Sequence, residues 1–154
     1  DLGCYSLHAQ RMLGAFLGGP PKVVSARAGT RAGRSEVDEW LDADLVFPDG
    51  ATGSARCHMA HGDVEMSLRI VGSDGEIVAP SFVLPHLNDQ LTVTTGGETR
   101  TESLGLRSSY TYQLEAFAAA VLDDAPVLTP PSDSIANMVV IDAVYAAAGM
   151  EPRG

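Results

Sequence analysis

The stretch VEMSLRIVGSDGEIVAP, residues 64–80, decides the fold because it places two short β-prone runs around a tight turn. Its centre, Gly72-Ser73-Asp74-Gly75, is typical of a turn between two strands. Strands joined by so short a connection run antiparallel, since a parallel pair needs a crossover of a dozen or more residues. The stretch therefore predicts a β-hairpin and, with it, an antiparallel sheet.

The same pattern extends outward in both directions. Before the hairpin, VDEWLDADLVFPDG (37–50) ends in a turn signal and leads into ATGSARCHMAH (51–61), which predicts a second hairpin. After it, QLTVTT (90–95) and ETRTESL (98–104) flank Gly96-Gly97 and predict two more strands. Further upstream, VVSAR (23–27) predicts a short strand, and the polar, glycine-bearing GTRAGRSE (29–36) predicts a loop.

Three helices flank the strands. Apolar residues at helical spacing predict the first over residues 5–17, and Gly18-Gly19-Pro20-Pro21 ends it. The alanine-rich YQLEAFAAAVL (112–122) predicts the second. The third lies within residues 129–149, with prolines and a capping serine at its start and Gly149 at its end. This order predicts an α+β fold, an open, mostly antiparallel sheet of about five or six strands with helices on one face.

Composition excludes several classes of function. The 154 residues carry a net charge of -10, with 10 basic residues, which opposes a nucleic-acid surface and a polybasic membrane anchor. No apolar run approaches the roughly 20 residues of a membrane span. Cys4 and Cys57 have no metal-like spacing, so they are interpreted as reduced, buried thiols of a cytoplasmic protein.

The familiar catalytic motifs are missing. The sequence has no GxGxxG after a strand, no Walker-type loop and no GxSxG elbow. Its histidines are scattered and give no metal site: His8, His58, His61 and His86. The chain therefore offers no self-contained active site.

Three stretches together resemble one family, the Gfo/Idh/MocA oxidoreductases. DLGCYSLHAQRML (1–13) resembles the segment that begins the family's C-terminal domain. The hairpin of residues 64–80 resembles its mid-sheet hairpin, and residues 110–148 resemble its closing two helices. The resemblance covers nearly the whole chain.

The resemblance implies half of a two-domain enzyme. Family members bind NAD or NADP in an N-terminal Rossmann domain, which also carries the catalytic lysine. Their C-terminal α+β domain forms part of the substrate pocket and usually the oligomer interface. Residues 1–154 are thus expected to be a single C-terminal domain that begins at Asp1 without its nucleotide-binding half and binds no cofactor alone. Lys22 does not match the family's lysine.

The resemblance also implies site residues. The family's Asp-x-Gly-x-(His or Tyr) pattern faces the nicotinamide and the substrate, and it matches Asp1, Gly3 and Tyr5. Tyr5 is the expected catalytic residue, because a tyrosine near a cation can take the proton of a substrate hydroxyl. Asp1, His8 and Tyr110 are the expected substrate-binding residues. Tyrosine in place of histidine indicates the branch of glucose-fructose oxidoreductase, xylose dehydrogenase and dihydrodiol dehydrogenase.

Other polar residues receive structural interpretations. Arg11 is expected to pair with an acid on a neighbouring element, and Asn137 and Asp142 to tie their helix to a loop. Trp40 is expected in the core or at an interface.

The favoured function is substrate binding and oligomerisation within an NAD(P)-dependent oxidoreductase that acts on the CH-OH group of a sugar, polyol or diol. The fragment alone is expected to be inactive, and a homodimer or higher homo-oligomer is expected through the sheet. The alternative is a stand-alone, non-catalytic α+β ligand-binding or dimerisation module. A third reading, a small independent enzyme such as an isomerase, would need a buried acid-base pair that the strands do not evidently offer.

Overall fold

The computed structural model describes residues 3–60 and 62–151 and divides the chain into two compact units. One unit takes the chain up to Gly62 and again from Thr129, and the other takes Asp63–Leu128. The described elements, in chain order, are α1 Gly3–Leu13, β1 Lys22–Arg31, β2 Arg34–Val46, β3 Thr52–His58, β4 Leu68–Gly72, β5 Gly75–Ala79, β6 Gln90–Thr95, β7 Glu98–Ser103, α2 Ser109–Asp123 and α3 Pro131–Ala147.

The first unit is a three-stranded antiparallel sheet, β1-β2-β3, against which α1 and α3 pack. Its core follows the two-residue period of β2: Leu41, Ala43 and Leu45 are buried, while Asp42 and Asp44 point to the opposite face. The sheet therefore buries one face and leaves the other polar. The remaining core residues come from both helices and from β3: Leu7, Ala55, Val140 and Val144.

The sequence stretch at residues 29–36 is not the predicted loop. Gly29, Thr30 and Arg31 end β1, and β2 begins at Arg34, so Ala32-Gly33 forms a two-residue hairpin turn. Gly33 has a φ of 76°, a left-handed conformation that glycine adopts at little cost. The prediction was wrong because polar residues were taken as a loop, although strands can carry them on a solvent-facing side.

The second unit contains the four-stranded antiparallel sheet β4-β5-β6-β7, built entirely from consecutive hairpins. The predicted turn at residues 72–75 is confirmed, with Gly72 paired to Gly75 across it. The turn at Gly96-Gly97 is confirmed as well. Helix α2 follows, capped by Ser108, whose hydroxyl accepts a hydrogen bond from the backbone N–H of Tyr110.

The α+β class and the antiparallel pairing are confirmed, as is the order of helix, strands and two helices. The described residues hold seven strands in two sheets, where the sequence predicts about five or six in one. The described residues between β3 and β4 add only an isolated bridge at Met66, so the ladder does not continue from one sheet to the other.

Helix α1 ends at Leu13, earlier than predicted. Gly14 starts a turn in which its carbonyl oxygen accepts a hydrogen bond from the backbone N–H of Gly19 at 2.9 Å, and that turn leaves the Phe16 side chain exposed.

None of the helices in the described ranges is long and apolar enough to cross a bilayer.

Gly75 is a position where the fold requires glycine. A Cβ placed there would lie 1.9 Å from the carbonyl oxygen of Thr94, which is backbone and is held in the β5–β6 ladder. Gly75→Ala is expected to destabilise the chain by about 3 kcal/mol or more, because overpacking forces the backbone to shift. Urea unfolding followed by circular dichroism measures the loss.

The matched control is Gly62→Ala. A Cβ at Gly62 meets nothing within 4 Å, so this variant should unfold at nearly the wild-type midpoint. Equal midpoints for the two variants would contradict the close approach at Gly75.

Candidate functional site

The exposed face of α1 carries the residue expected to be catalytic. Tyr5 lies in the first two turns of α1 and is 47% exposed, and Met12, two turns later, is exposed on the same side. In the part of the chain that the structure describes, the Tyr5 hydroxyl has no hydrogen-bond partner. Asp1 lies outside the described residues. Tyr5 is thus presented outward, available to a ligand.

A second face of α1 is fixed to the sheet. Leu7 is buried in the core, and the Gln10 amide donates a hydrogen bond to the carbonyl oxygen of Ser54 at 3.2 Å. One turn before Gln10, Ser6 lies 3.8 Å from the Cys57 sulfur, measured from hydroxyl oxygen to Sγ. These contacts attach the helix to β3 along its length.

A third face of α1 meets α3 through a polar network. The Arg11 guanidinium donates a hydrogen bond to Asp133 Oδ1 at 2.8 Å and lies 3.5 Å from Asn137 Oδ1. The Asn137 amide in turn donates to the carbonyl oxygen of Cys4 at 3.3 Å. The expected pairing of Arg11 with an acid is confirmed. Asn137 ties its helix to another helix, not to a loop as predicted.

The Arg11–Asp133 pair also matches the helix dipoles. Arg11 lies in the last turn of α1, where positive charge is favoured, and Asp133 lies in the first turn of α3, where negative charge is favoured. Their side chains are only 11% and 19% exposed. The hydrogen bond from Arg11 holds the pKa of Asp133 below its ordinary value of 3.8, against a smaller opposing effect of burial.

His8 belongs to the same network. Its Nδ1 lies 3.5 Å from Asp133 Oδ2, the carboxylate oxygen that Arg11 does not use. The ring is therefore oriented toward α3. Its predicted substrate-binding role stays a prediction.

The remaining expected site residue lies in the second unit. Tyr110 is at the start of α2 and is 68% exposed. Nearby, the Arg107 guanidinium carbon lies 4.7 Å from the centre of the Tyr112 ring, a cation–π contact, and Arg107 is paired with Glu115. The role of Tyr110 in substrate binding stays a prediction.

The two cysteines are not joined by a disulfide, and both are half-buried. Burial raises the pKa of the Cys57 thiol above its ordinary value, which favours the protonated, unreactive form. Over residues 3–60 and 62–151, no three His, Cys, Asp or Glu side chains are placed to share a metal ion.

The first unit presents the Tyr5 hydroxyl on a fixed support. Arg11, Asp133 and Asn137 hold the helix that carries it. Sequence reasoning missed Asp133 and its contact with His8. The available signal was the position of Asp133 in the first turn of a helix, two residues after a pair of prolines.

The first half of the chain matches a known protein family. The family model described as the GFO/IDH/MocA C-terminal domain matches residues 1–78. A curated relative, D-xylose 1-dehydrogenase (NADP(+)) 2 from Haloferax volcanii, is 34% identical over 151 residues. The match covers 96% of this chain but 44% of that protein, so the chain spans less than half of the relative's length.

Solved structures share the fold over nearly the whole chain. An aldose-aldose oxidoreductase from Caulobacter crescentus, complexed with glycerol, has a TM-score of 0.81 at 24% identity and covers 96% of this chain and 44% of its own. A 3-ketoreductase from Actinomadura kijaniata, in complex with TDP-benzene and NADP, has a TM-score of 0.80 at 23% identity, over 96% of this chain and 46% of its own. At these identities the likeness concerns the fold.

The Asp133 pKa has a consequence for stability. The pKa of Asp133 is lower in the folded chain than in the unfolded chain. The ionised carboxylate therefore stabilises the fold at pH values above the unfolded-state pKa, and this stabilisation is lost as the pH falls through the folded-state pKa. Asp133→Asn is expected to lower the free energy of unfolding at pH 7 by about 1–3 kcal/mol, the range for a hydrogen bond to a charged group. The difference from wild type should shrink below about pH 4. Urea titrations between pH 7 and pH 3 measure it.

Asp63→Asn is the matched control, because Asp63 is exposed. It should follow the wild-type curve at every pH. A constant difference between Asp133→Asn and wild type across the whole range would show that the charge of Asp133 contributes nothing.

Proposed function

The chain belongs to the GFO/IDH/MocA family, and from this premise we propose that it is the substrate-binding and oligomerisation domain of an NAD(P)-dependent oxidoreductase. Its substrate is a sugar, polyol or diol oxidised at a CH-OH group. The observation that supports this most directly is the 34% identity to a D-xylose dehydrogenase, over nearly the entire chain. We further propose that the complete enzyme has a separate nucleotide-binding domain and that residues 1–154 form one C-terminal domain.

The described residues contain no glycine-rich dinucleotide-binding loop. Both sheets are built from antiparallel strands, and within the described ranges no strand leads through a GxGxxG loop into a helix, the arrangement that holds a pyrophosphate. A nicotinamide cofactor supplies a hydride acceptor when bound. We propose that the residues holding this cofactor lie elsewhere in the enzyme, and that this chain alone binds none and is inactive.

We propose that this chain contributes the group that takes up the substrate's proton. Oxidation of a carbinol removes a hydride from carbon and a proton from oxygen, and we assign the proton to the Tyr5 hydroxyl. Tyr5 fits this role because it is exposed on a helix whose other two faces are held by the sheet and by α3. A support of this kind keeps a proton acceptor in a fixed position, which proton transfer requires.

Asp1, His8 and Tyr110 are proposed to contact the substrate. Of these, His8 has the clearest structural support. It lies three residues after Tyr5, and its contact with Asp133 orients the ring at Nδ1, which leaves Nε2 as the atom for a substrate hydroxyl.

Oligomerisation is proposed through the outward face of the first sheet. That face carries alternating charges: Arg56 pairs with Asp44 at 2.7 Å, and Arg27 pairs with Asp42 at 3.4 Å. A surface that carries both positive and negative side chains can pair with the same surface of a second copy, as the two-fold contact of a homodimer requires. The contact would be polar.

Tyr5→Phe is the direct test of the catalytic assignment. In the full-length enzyme it is expected to lower kcat for D-xylose oxidation by about a hundredfold or more, the usual contribution of general acid-base catalysis. The rate is followed by the absorbance of reduced NADP. Stability should be unchanged, since the hydroxyl has no partner in the described residues.

Tyr112→Phe is the control, because Tyr112 is an exposed tyrosine engaged with Arg107 through its ring. It should keep the wild-type rate. A Tyr5→Phe enzyme with full activity would remove Tyr5 from the mechanism. A full-length protein without any activity on sugars, polyols or diols would favour the non-catalytic binding module.

The oligomer is tested by light scattering. The wild-type chain is expected to be a dimer or larger at micromolar concentration, and Arg56→Glu should shift it toward monomer by placing like charges across the interface. Arg100→Glu, an exposed arginine on β7, is the control and should leave the mass unchanged. A monomeric wild-type protein would contradict the proposed interface.

A further inference from the structure

The side chain of Asn137 joins helix α3 to the backbone of α1, beside the proposed proton acceptor. Its amide nitrogen donates a hydrogen bond to the carbonyl oxygen of Cys4 at 3.3 Å, and Cys4 is the residue immediately before Tyr5. Its amide oxygen lies 3.5 Å from Nη1 of Arg11, in the last turn of the same helix. Both contacts are partly buried. Asn137 therefore holds α1 near its beginning as well as near its end.

The polar contacts between the two helices form a single row. On α3, Asp133 and Asn137 are four residues apart and so share one face of the helix. Their partners on α1 are spaced by four and three residues and share a face as well: Cys4, His8 and Arg11. Asp133 contacts the later two of these partners, whereas Asn137 contacts Arg11 and Cys4. Within this row, the hydrogen bond to the first turn of α1 comes from Asn137.

The chemistry of this position requires an amide. The Arg11 guanidinium offers only donors, and the Cys4 carbonyl oxygen offers only lone pairs, so the side chain between them has to accept on one side and donate on the other. An aspartate would still accept a hydrogen bond from Arg11 but would place a second acceptor against the Cys4 carbonyl. The amide nitrogen is thus needed for the Cys4 contact alone, which allows the two contacts of Asn137 to be separated by substitution.

The Cys4 contact bears directly on Tyr5. The peptide group between Cys4 and Tyr5 is planar, and its plane contains both the Cys4 carbonyl oxygen and the Cα atom of Tyr5. A hydrogen bond to that oxygen therefore restrains the main-chain atom from which the Tyr5 side chain extends. The first turn of a helix is prone to fray, because its N–H groups have no partner within the helix. With its side chain 47% exposed, Tyr5 depends on this backbone restraint for the position of its hydroxyl.

We propose that Asn137 is a positioning residue for the reaction, which holds the Tyr5 hydroxyl within reach of the substrate through the Cys4–Tyr5 peptide group. It contacts neither substrate nor cofactor in this role. The proposal rests on the proposed function, because it needs Tyr5 to be the proton acceptor. Displacement of a catalytic group by about 1 Å can lower a rate about a hundredfold, and loss of one restraint is expected to cost about tenfold.

Asn137→Asp in the full-length enzyme tests this role against a purely structural one. The variant is expected to fold with a native circular dichroism spectrum, because a carboxylate strengthens the contact with Arg11. The value of kcat for D-xylose oxidation should nevertheless fall about tenfold, with KM changed less than about twofold, the pattern of an interaction that matters in the transition state. Ser134→Asp adds the same charge at an exposed position of α3 and is the control, which should keep the wild-type kcat.

A double-mutant cycle with Tyr5→Phe identifies the group through which Asn137 acts. Without the Tyr5 hydroxyl there is nothing to position, so adding Asn137→Asp should change the remaining kcat by less than about twofold. Asn137→Leu has a side chain of similar size and loses both polar contacts. It should show the same kinetic pattern with a lower unfolding midpoint in urea, and it carries the test if Asn137→Asp does not fold.

Two results would overturn the positioning role while the assignment of Tyr5 stands. One is a wild-type kcat in folded Asn137→Asp, which would leave Asn137 only its contact with Arg11. The other is a tenfold loss that persists in the Tyr5→Phe background, which would show that Asn137 acts through another group. A wild-type kcat in Tyr5→Phe itself, or a full-length protein that oxidises no sugar, polyol or diol, would overturn the proposed function and the positioning role together.

Discussion

The contact between Arg11 and Asp133 determines how helix α1 is presented. It joins the end of α1 to the start of α3, two segments more than a hundred residues apart in the chain. Because both side chains are largely buried, the pair has to be satisfied completely, and Asn137 and His8 complete it. Because this side of α1 is fixed and Leu7 lies in the core, the orientation of the helix about its own axis is fixed as well. In that orientation Tyr5 points outward.

Local sequence signals predicted the elements well where a turn or a period is self-contained. The glycine turns at residues 72–75 and 96–97 need only their own residues, and both hairpins form as predicted. The hairpin at Ala32-Gly33 was missed because its flanking strands are polar. What makes those residues a strand is their ladder with β2, a contact that no short window of sequence contains.

The site was predictable only in part for the same reason. The family pattern singled out Tyr5 by its sequence position. The apolar spacing did not identify the side of α1 that packs, because Leu7 is buried whereas Met12 is exposed. Asp133 could not be assigned to Arg11, because their proximity depends on how α3 returns to the first sheet.

The exposed position of Tyr5 separates its chemistry from the stability of the fold. The residues that hold α1 are on its other two faces, and the Tyr5 hydroxyl takes no part in their contacts. Its loss therefore removes a functional group and leaves the support intact. By contrast, substitutions at Arg11 or Asp133 remove a contact that holds the helix in place. A kinetic effect at Tyr5 without an effect on unfolding is thus the signature of proton transfer, whereas coupled effects indicate displacement of α1.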